Sequence, residues 1–222
     1  MTSGAMFPTQ DAPLTADDGL ASFLSQVSAR PALHARFLNT LSLLEYIGAR
    51  KIYKSQPADC FTVEVLEHVV EEGRHALALK KLAIRLGGDS VRTYGAEGLL
   101  SGADATRYMQ TLDRAVEADL QSSGFPSGEK RTWINYLLTT LLVEERADSL
   151  YPIYEPILTS LGYGGVAAAI VAEEKRHLRD VLQALTAEDP SRVTRLERLR
   201  PLERQAFSTL LSSWAEEVHQ LA

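Results

Sequence analysis

The stretch VVEEGRHALALK (69–80) is echoed far along the chain by IVAEEKRHLRDV (170–181), so Glu-Glu-x-Arg-His occurs twice, each time inside an apolar helical pattern. No other feature restricts the fold as strongly. Around the first copy, Phe61, Val65, His68, Glu72, His75, Leu79, Leu82 and Leu86 follow alternating four- and three-residue steps, the spacing of a core-facing helical seam. Around the second, Ala167, Ile170, Glu174, His177 and Val181 do the same. In both lines a Glu and a His interrupt apolar residues. A carboxylate left unpaired on such a line is costly, so positive charge has to meet it there.

Glu-x-x-His alone carries little weight, because three of the five histidines have a Glu three residues before them, Glu216/His219 included. The seam is what separates the copies, and the last pair reads as a solvated helix face. Two further helical seams each offer a central Glu. One carries Leu38, Leu41, Glu45, Gly48 and Ile52; the other carries Ile134, Leu137, Leu141, Glu144, Asp148 and Tyr151. Glu45 precedes the break at SQPAD and Glu72 follows it by similar distances, roughly 16 to 20 Å at the helical rise. Glu144 and Glu174 bracket LGYGG in a similar way. Four Glu and two His are thus predicted to converge at one level.

Strand signals are almost absent, while Ala, Leu, Glu, Arg and Lys dominate stretches with helical period. The reading is a disordered N-terminus over 1–15, a helical bundle over 16–187 and a C-terminal helical extension over 188–222. A short helix stops at Pro31, and long helices run to about Gln56, from Cys60 to Leu86 with Asp59 as cap, from Glu129 to Leu158, and from Val166 to Ala187. A crossover with its own helix near 103–121 separates the two hairpins, and Pro152 and Pro156 predict a kink or fraying late in the third long helix. In the extension, Phe207, Leu210, Leu211, Trp214, Val218 and Leu221 fall on one side. The net charge of −6 argues against a nucleic acid as main partner. A single cysteine, Cys60, read as a buried thiol, excludes a Cys-rich zinc or rubredoxin-type iron site. No run is long enough to span a membrane and no secretory signal is visible, so the expected location is the cytoplasm.

The ordered set Glu45, Glu72-x-x-His75, Glu144, Glu174-x-x-His177 resembles the ferritin-like dinuclear carboxylate proteins, over about residues 31–187. The resemblance implies an all-α, ferritin-like four-helix bundle with a long crossover and extra N- and C-terminal helices. It implies two Fe ions, with Mn or a mixed Mn/Fe pair as alternatives, bridged by Glu72 and Glu174 and bound terminally by Glu45, His75, Glu144 and His177. It further implies that Glu71 and Glu173, one residue before each bridging Glu, accept a hydrogen bond from the opposite half's histidine. The competing role for these two is a surface pair with Arg74 and Arg176. Glu145 competes with Glu144, whose longer seam and Glu-x-x-Ala-x-x-x-Tyr setting (Glu144, Ala147, Tyr151) favour it. His68 and Asp148, one turn from ligand positions, and Tyr151 are expected to surround the ligands.

The superfamily pattern does not fix an activity. The leading expectation is a non-haem diiron oxidase or oxygenase that uses O2 and a small organic substrate, with an electron donor. It rests on a length beyond a minimal ferritin or rubrerythrin, on helices added at both ends, and on the missing rubredoxin cysteines. The alternatives are iron oxidation, iron handling or peroxide scavenging, and a metal-stabilised interaction scaffold. The long C-terminal helix weighs against a closed cage and leaves room for a homodimer.

Overall fold

A computed structural model describes residues 18–55 and 61–221. The N-terminal segment, Asp59 and Cys60 lie outside the described residues, as do the expectations attached to them. Seven α-helices and no strand occur among the described residues: α1 Asp18–Ser28, α2 Pro31–Ser55, α3 Val63–Gly87, α4 Gly102–Ser122, α5 Glu129–Ser160, α6 Val166–Glu188 and α7 Arg192–Gln220, with two short 3-10 turns between α3 and α4. None of these helices is long and apolar enough to cross a membrane.

Local chemistry explains the boundaries. Pro31 opens α2, where its fixed φ suits a first turn and its missing N–H costs nothing. Thr62 caps α3 by accepting a hydrogen bond from the Val65 amide. Gly88, at φ +59°, lets the chain leave α3 in a conformation that a side chain would strain. In the LGYGG turn, Gly162 and Gly165 have φ of +81° and +91°. α5 runs through Pro152 and Pro156 to Ser160.

α2 packs mainly on α3, and α5 on α6, giving two helical hairpins; α4 and α7 pack on each other. The apolar residues form two clusters. One contains Leu41 of α2, Leu79 of α3, Leu150 of α5 and Ile170 of α6. The other contains Ile52, Val65, Leu141 and Val181 from the same four helices. On every one of these helices the two apolar sections flank the Glu or Glu-x-x-His position, so the polar residues occupy one layer between two cores. The first core also recruits the terminal helices. The rings of Phe23, Phe37 and Trp214 lie with centroids 5.2 to 5.7 Å apart, Phe23 stacked on Trp214 and Phe37 edge-on to both, which joins α1, α2 and α7. Phe207, Leu210, Leu211, Trp214 and Val218 of α7 are buried. Leu221, placed on that face by its sequence, is 53% exposed because the helix has ended before it.

Candidate metal centre

The layer between the two cores gathers Glu45 from α2, His68, Glu72 and His75 from α3, Glu144 from α5, and Glu174 and His177 from α6. All but Glu45, which is partly buried, are buried. Their donor atoms form two groups, each within a 4.8 Å span: Glu45, Glu72, His75 and Glu174, and His68, Glu72, Glu144 and His177. Glu72 belongs to both. Glu174 also faces both ways, with Oε1 3.0 Å from His75 Nδ1 and Oε2 3.0 Å from His177 Nδ1.

The imidazoles are held from behind. His75 Nε2 donates to Glu173 at 2.8 Å and His177 Nε2 donates to Glu71 at 2.7 Å, each across to the opposite hairpin. Both Nδ1 atoms therefore face the layer. The arginines join the same crossing: Arg176 binds Glu71, and Arg74 lies 3.3 Å from both Glu71 and Glu173. The two roles weighed for Glu71 and Glu173 thus coexist, since each carboxylate meets a histidine and an arginine together.

His68 is the residue whose position its sequence leaves least determined. Its Nδ1 bonds the Tyr136 hydroxyl at 3.0 Å, which turns Nε2 inward to within 3.2 Å of Glu72 and 3.3 Å of Glu144. It therefore stands among the donor atoms and not behind them. Its ring lies against that of His177, with centroids 3.9 Å apart. The buried His68 Nε2 and His75 Nδ1 meet the layer's carboxylate oxygens as close ion-pair contacts without hydrogen-bond geometry. Asp148 falls outside both groups; it is half-exposed and lies 3.8 Å from Lys175. Tyr151 donates to Glu45. Glu144 enters the layer, whereas Glu145 makes two bonds to Arg200 at 3.1 and 2.7 Å. Glu216 and His219 are exposed.

The protonation pattern follows from burial and crowding. Burial, with the Glu72 and Glu174 charges added, pushes the Glu45 carboxyl well above the usual range. Glu174 is raised by burial and by Glu144. Burial acts the same way on Glu144, but bonds from Glu174, His177 and His68 bring it below the usual value. The histidines would be neutral by burial alone. Facing carboxylates overcome this, lifting His68 to about 9, His75 to about 10 and His177 to about 11. The layer has an excess of negative donors and calls in protons wherever it has no other cation.

Spaces adjoin it on both the carboxylate and the histidine side. A small, mostly apolar pocket of about 70 Å³ touches Glu45, Glu72, Glu144 and Glu174 and is lined by Leu41, Val143, Phe207 and Trp214. Gly48 lines it as well. A Cβ there would come 3.2 Å from Glu72 Oε2, so the missing side chain leaves that carboxylate its room. On the histidine side a larger cleft of about 780 Å³ opens to solvent between α3, α5 and α6 and reaches His68 and His177. Set against known proteins, the chain matches no family model, no curated sequence and no solved structure.

Proposed function

We propose that the buried layer holds two first-row divalent metal ions and that the protein is a ferritin-like, dinuclear non-haem oxidase or oxygenase acting on a small organic molecule. The observation that carries this reading is the sharing of carboxylates: Glu72 enters both donor groups, and the two oxygens of Glu174 are split between His75 and His177. Imidazole nitrogens in the same layer that lie 3.0 to 3.3 Å from carboxylate oxygens without hydrogen-bond geometry fit the reading, since a shared cation would satisfy both. Carboxylate and imidazole donors without thiolate suit Fe(II) or Mn(II).

Glu45, Glu72, His75 and Glu174 would hold one ion; His68, Glu72, Glu144 and His177, with Glu174, would hold the other. Two such ions, as Fe(II), would supply two electrons for reducing O2, the organic substrate or an external donor supplying the others. The chain does the rest. Glu71 and Glu173 hold Nε2 of His177 and His75 and so fix imidazole orientation with Nδ1 toward the layer, where it would be free to bind a metal in place of a proton. Tyr151 orients Glu45 through its hydroxyl. Gly48 gives the Glu72 carboxylate space to change its position. The small, mostly apolar pocket on the carboxylate side has room for a diatomic molecule. Iron handling would use the same layer, but it has no use for a broad apolar-walled cleft ending at two of the histidines.

The test is metal content per chain after anaerobic Fe(II) loading, followed by the optical spectrum of the same sample on admitting O2. Two irons and a new near-ultraviolet charge-transfer absorption are the expected result. Less than about half a metal per chain would leave the layer as a polar core.

A further inference from the structure

The cleft on the histidine side is built from two contrasting materials. Its wall is apolar and aromatic, with Val65, Trp133, Tyr136, Leu137, Val181 and Ala184. Trp133 and Tyr136 lie with ring centroids 5.1 Å apart, and Tyr136 in turn bonds His68 on the floor. Its charged lining is acidic: Glu64, Glu67, Glu71, Glu129 and Asp180 against only Lys130 and Arg176. Those two cations are already engaged, Lys130 with Glu188 at 3.3 Å and Arg176 with Glu71. The two floor imidazoles, His68 and His177, likewise face the buried carboxylates Glu72, Glu144, Glu71 and Glu174, so an anionic ligand meets only cations that are already engaged, with several exposed carboxylates opposing it. A bare metal ion would find the carboxylates but gain nothing from the aromatic wall. The volume, about 780 Å³, is in the range of pockets that take whole organic molecules.

We propose that this cleft is the substrate site and that its ligand is an organic cation: an aromatic or alkyl body seated on the Trp133–Tyr136 wall, carrying a protonated amine held by the acidic lining. The inference rests on the metal-centre reading for its chemistry, because the floor of the cleft is His68 and His177. The recognition itself stands on the cleft. An ammonium group gains both from the carboxylates and from the face of Trp133, and the first of these gains weakens with salt.

The experiment uses the full chain, metal-free and Co(II)-loaded, titrated with phenethylamine, phenethyl alcohol and phenylpropanoate. Trp133 fluorescence reports occupancy of the cleft, since the other tryptophan, Trp214, is fully buried in the distant core. The Co(II) visible bands report contact with the metals, and calorimetry on Trp133→Phe confirms the source of the signal. The amine is expected to bind about tenfold more tightly than either isostere. Substituting Asp180→Asn together with Glu67→Gln is expected to lower that preference at least about threefold while leaving the alcohol unchanged. Carboxylate or alcohol binding as tightly as the amine overturns the proposal, as does a preference that survives the double substitution. Amine binding without any change in the Co(II) bands overturns the cleft as a substrate site while leaving the metal centre standing. If Co(II) fails to bind at all, the metal reading falls, and the titration of the metal-free chain still decides the ligand class. Quenching of Trp133 by Co(II) but not by the amine would make the cleft a path for metal ions and refute an organic occupant.

Discussion

Glu144 and Arg146 stand two residues apart on α5 and lead into two buried charge clusters of different character. Arg146 makes two bonds to Glu203 of α7, at 2.9 and 2.8 Å, and Tyr108 of α4 donates to the same carboxylate at 2.7 Å. The guanidinium also lies 3.9 Å over the Phe207 ring. Glu203 is fully buried, yet its charge is answered by one cation in a bidentate fork. Around Glu144 nothing comparable happens. Four carboxylates share three imidazoles. Glu144 and Glu203 are both buried, so depth does not separate a structural ion pair from a candidate metal site. The separation lies in whether the protein supplies its own counter-charge.

Removing one partner from the complete pair should have the largest effect on stability. Glu203→Ala leaves Arg146 buried without its carboxylate and is expected to cost about 3–5 kcal/mol, read by denaturant unfolding, whether or not metal is present. In the incomplete cluster the same kind of truncation should behave in the opposite way. Glu72→Ala and Glu174→Ala each remove a carboxylate from a crowded layer, so the metal-free variants should be no less stable than the metal-free parent. What they lose is dinuclear binding, and with it about 2.7 kcal/mol of metal-linked stability at metal a hundredfold above Kd. Metal analysis and thermal unfolding with and without metal check both parts. If Glu72→Ala retains two metals per chain, the contrast between the clusters collapses.

The histidines give a second contrast, in the sign of pH dependence. Burial lowers the His34 imidazole to about 4. Between that value and the ordinary 6.5, the unfolded chain binds a proton that the native state refuses. The stabilisation is present above about pH 6.5 and is lost as pH falls toward 4. In the metal-free layer, His68, His75 and His177 titrate at about 9, 10 and 11 and hold protons that the unfolded chain releases. That stabilisation is complete below about pH 6.5 and is lost as pH rises through 9 to 11, by at most about 1.4 kcal/mol per pH unit for each group. Metal on those nitrogens should abolish the alkaline loss and release protons as it binds at neutral pH. Unfolding across pH with and without chelator checks this; an alkaline loss unchanged by metal would break the comparison.

How much of this could be read from the chain depends on which physical rule set each position. The convergence of Glu45, Glu72, His75, Glu144, Glu174 and His177 on one layer follows from helical period and equal distances from two turns, so it is legible residue by residue. The crossing of His177 to Glu71 and of His75 to Glu173 depends on how one hairpin lies on the other; the family resemblance implied it and spacing alone did not. His68 is visible as a seam residue, but only the Tyr136 hydroxyl decides which nitrogen turns inward. Asp148 sits on its seam and still ends beside Lys175, because a half-buried carboxylate takes the nearest exposed cation. The cleft has no sequence signature at all, since three helices far apart in the chain each supply one side of it.

The smallest effects sharpen the comparison furthest, because they separate a motif from its setting. Glu145 adjoins Glu144, yet it is engaged by Arg200, so Glu145→Gln should cost about 1–2 kcal/mol and leave metal content unchanged, whereas Glu144→Gln should lower it. Glu216 goes a step further. With His219 it repeats the Glu-x-x-His spacing of both site helices, but both residues are exposed. Water solvates that carboxylate, no second carboxylate crowds it, and no buried imidazole depends on it. Glu216→Ala should therefore change stability by no more than about 0.5 kcal/mol and leave metal stoichiometry as it was, measured beside Glu72→Ala under identical loading. A loss of metal on Glu216→Ala would mean that spacing alone, without a buried layer of shared carboxylates, is enough to bind.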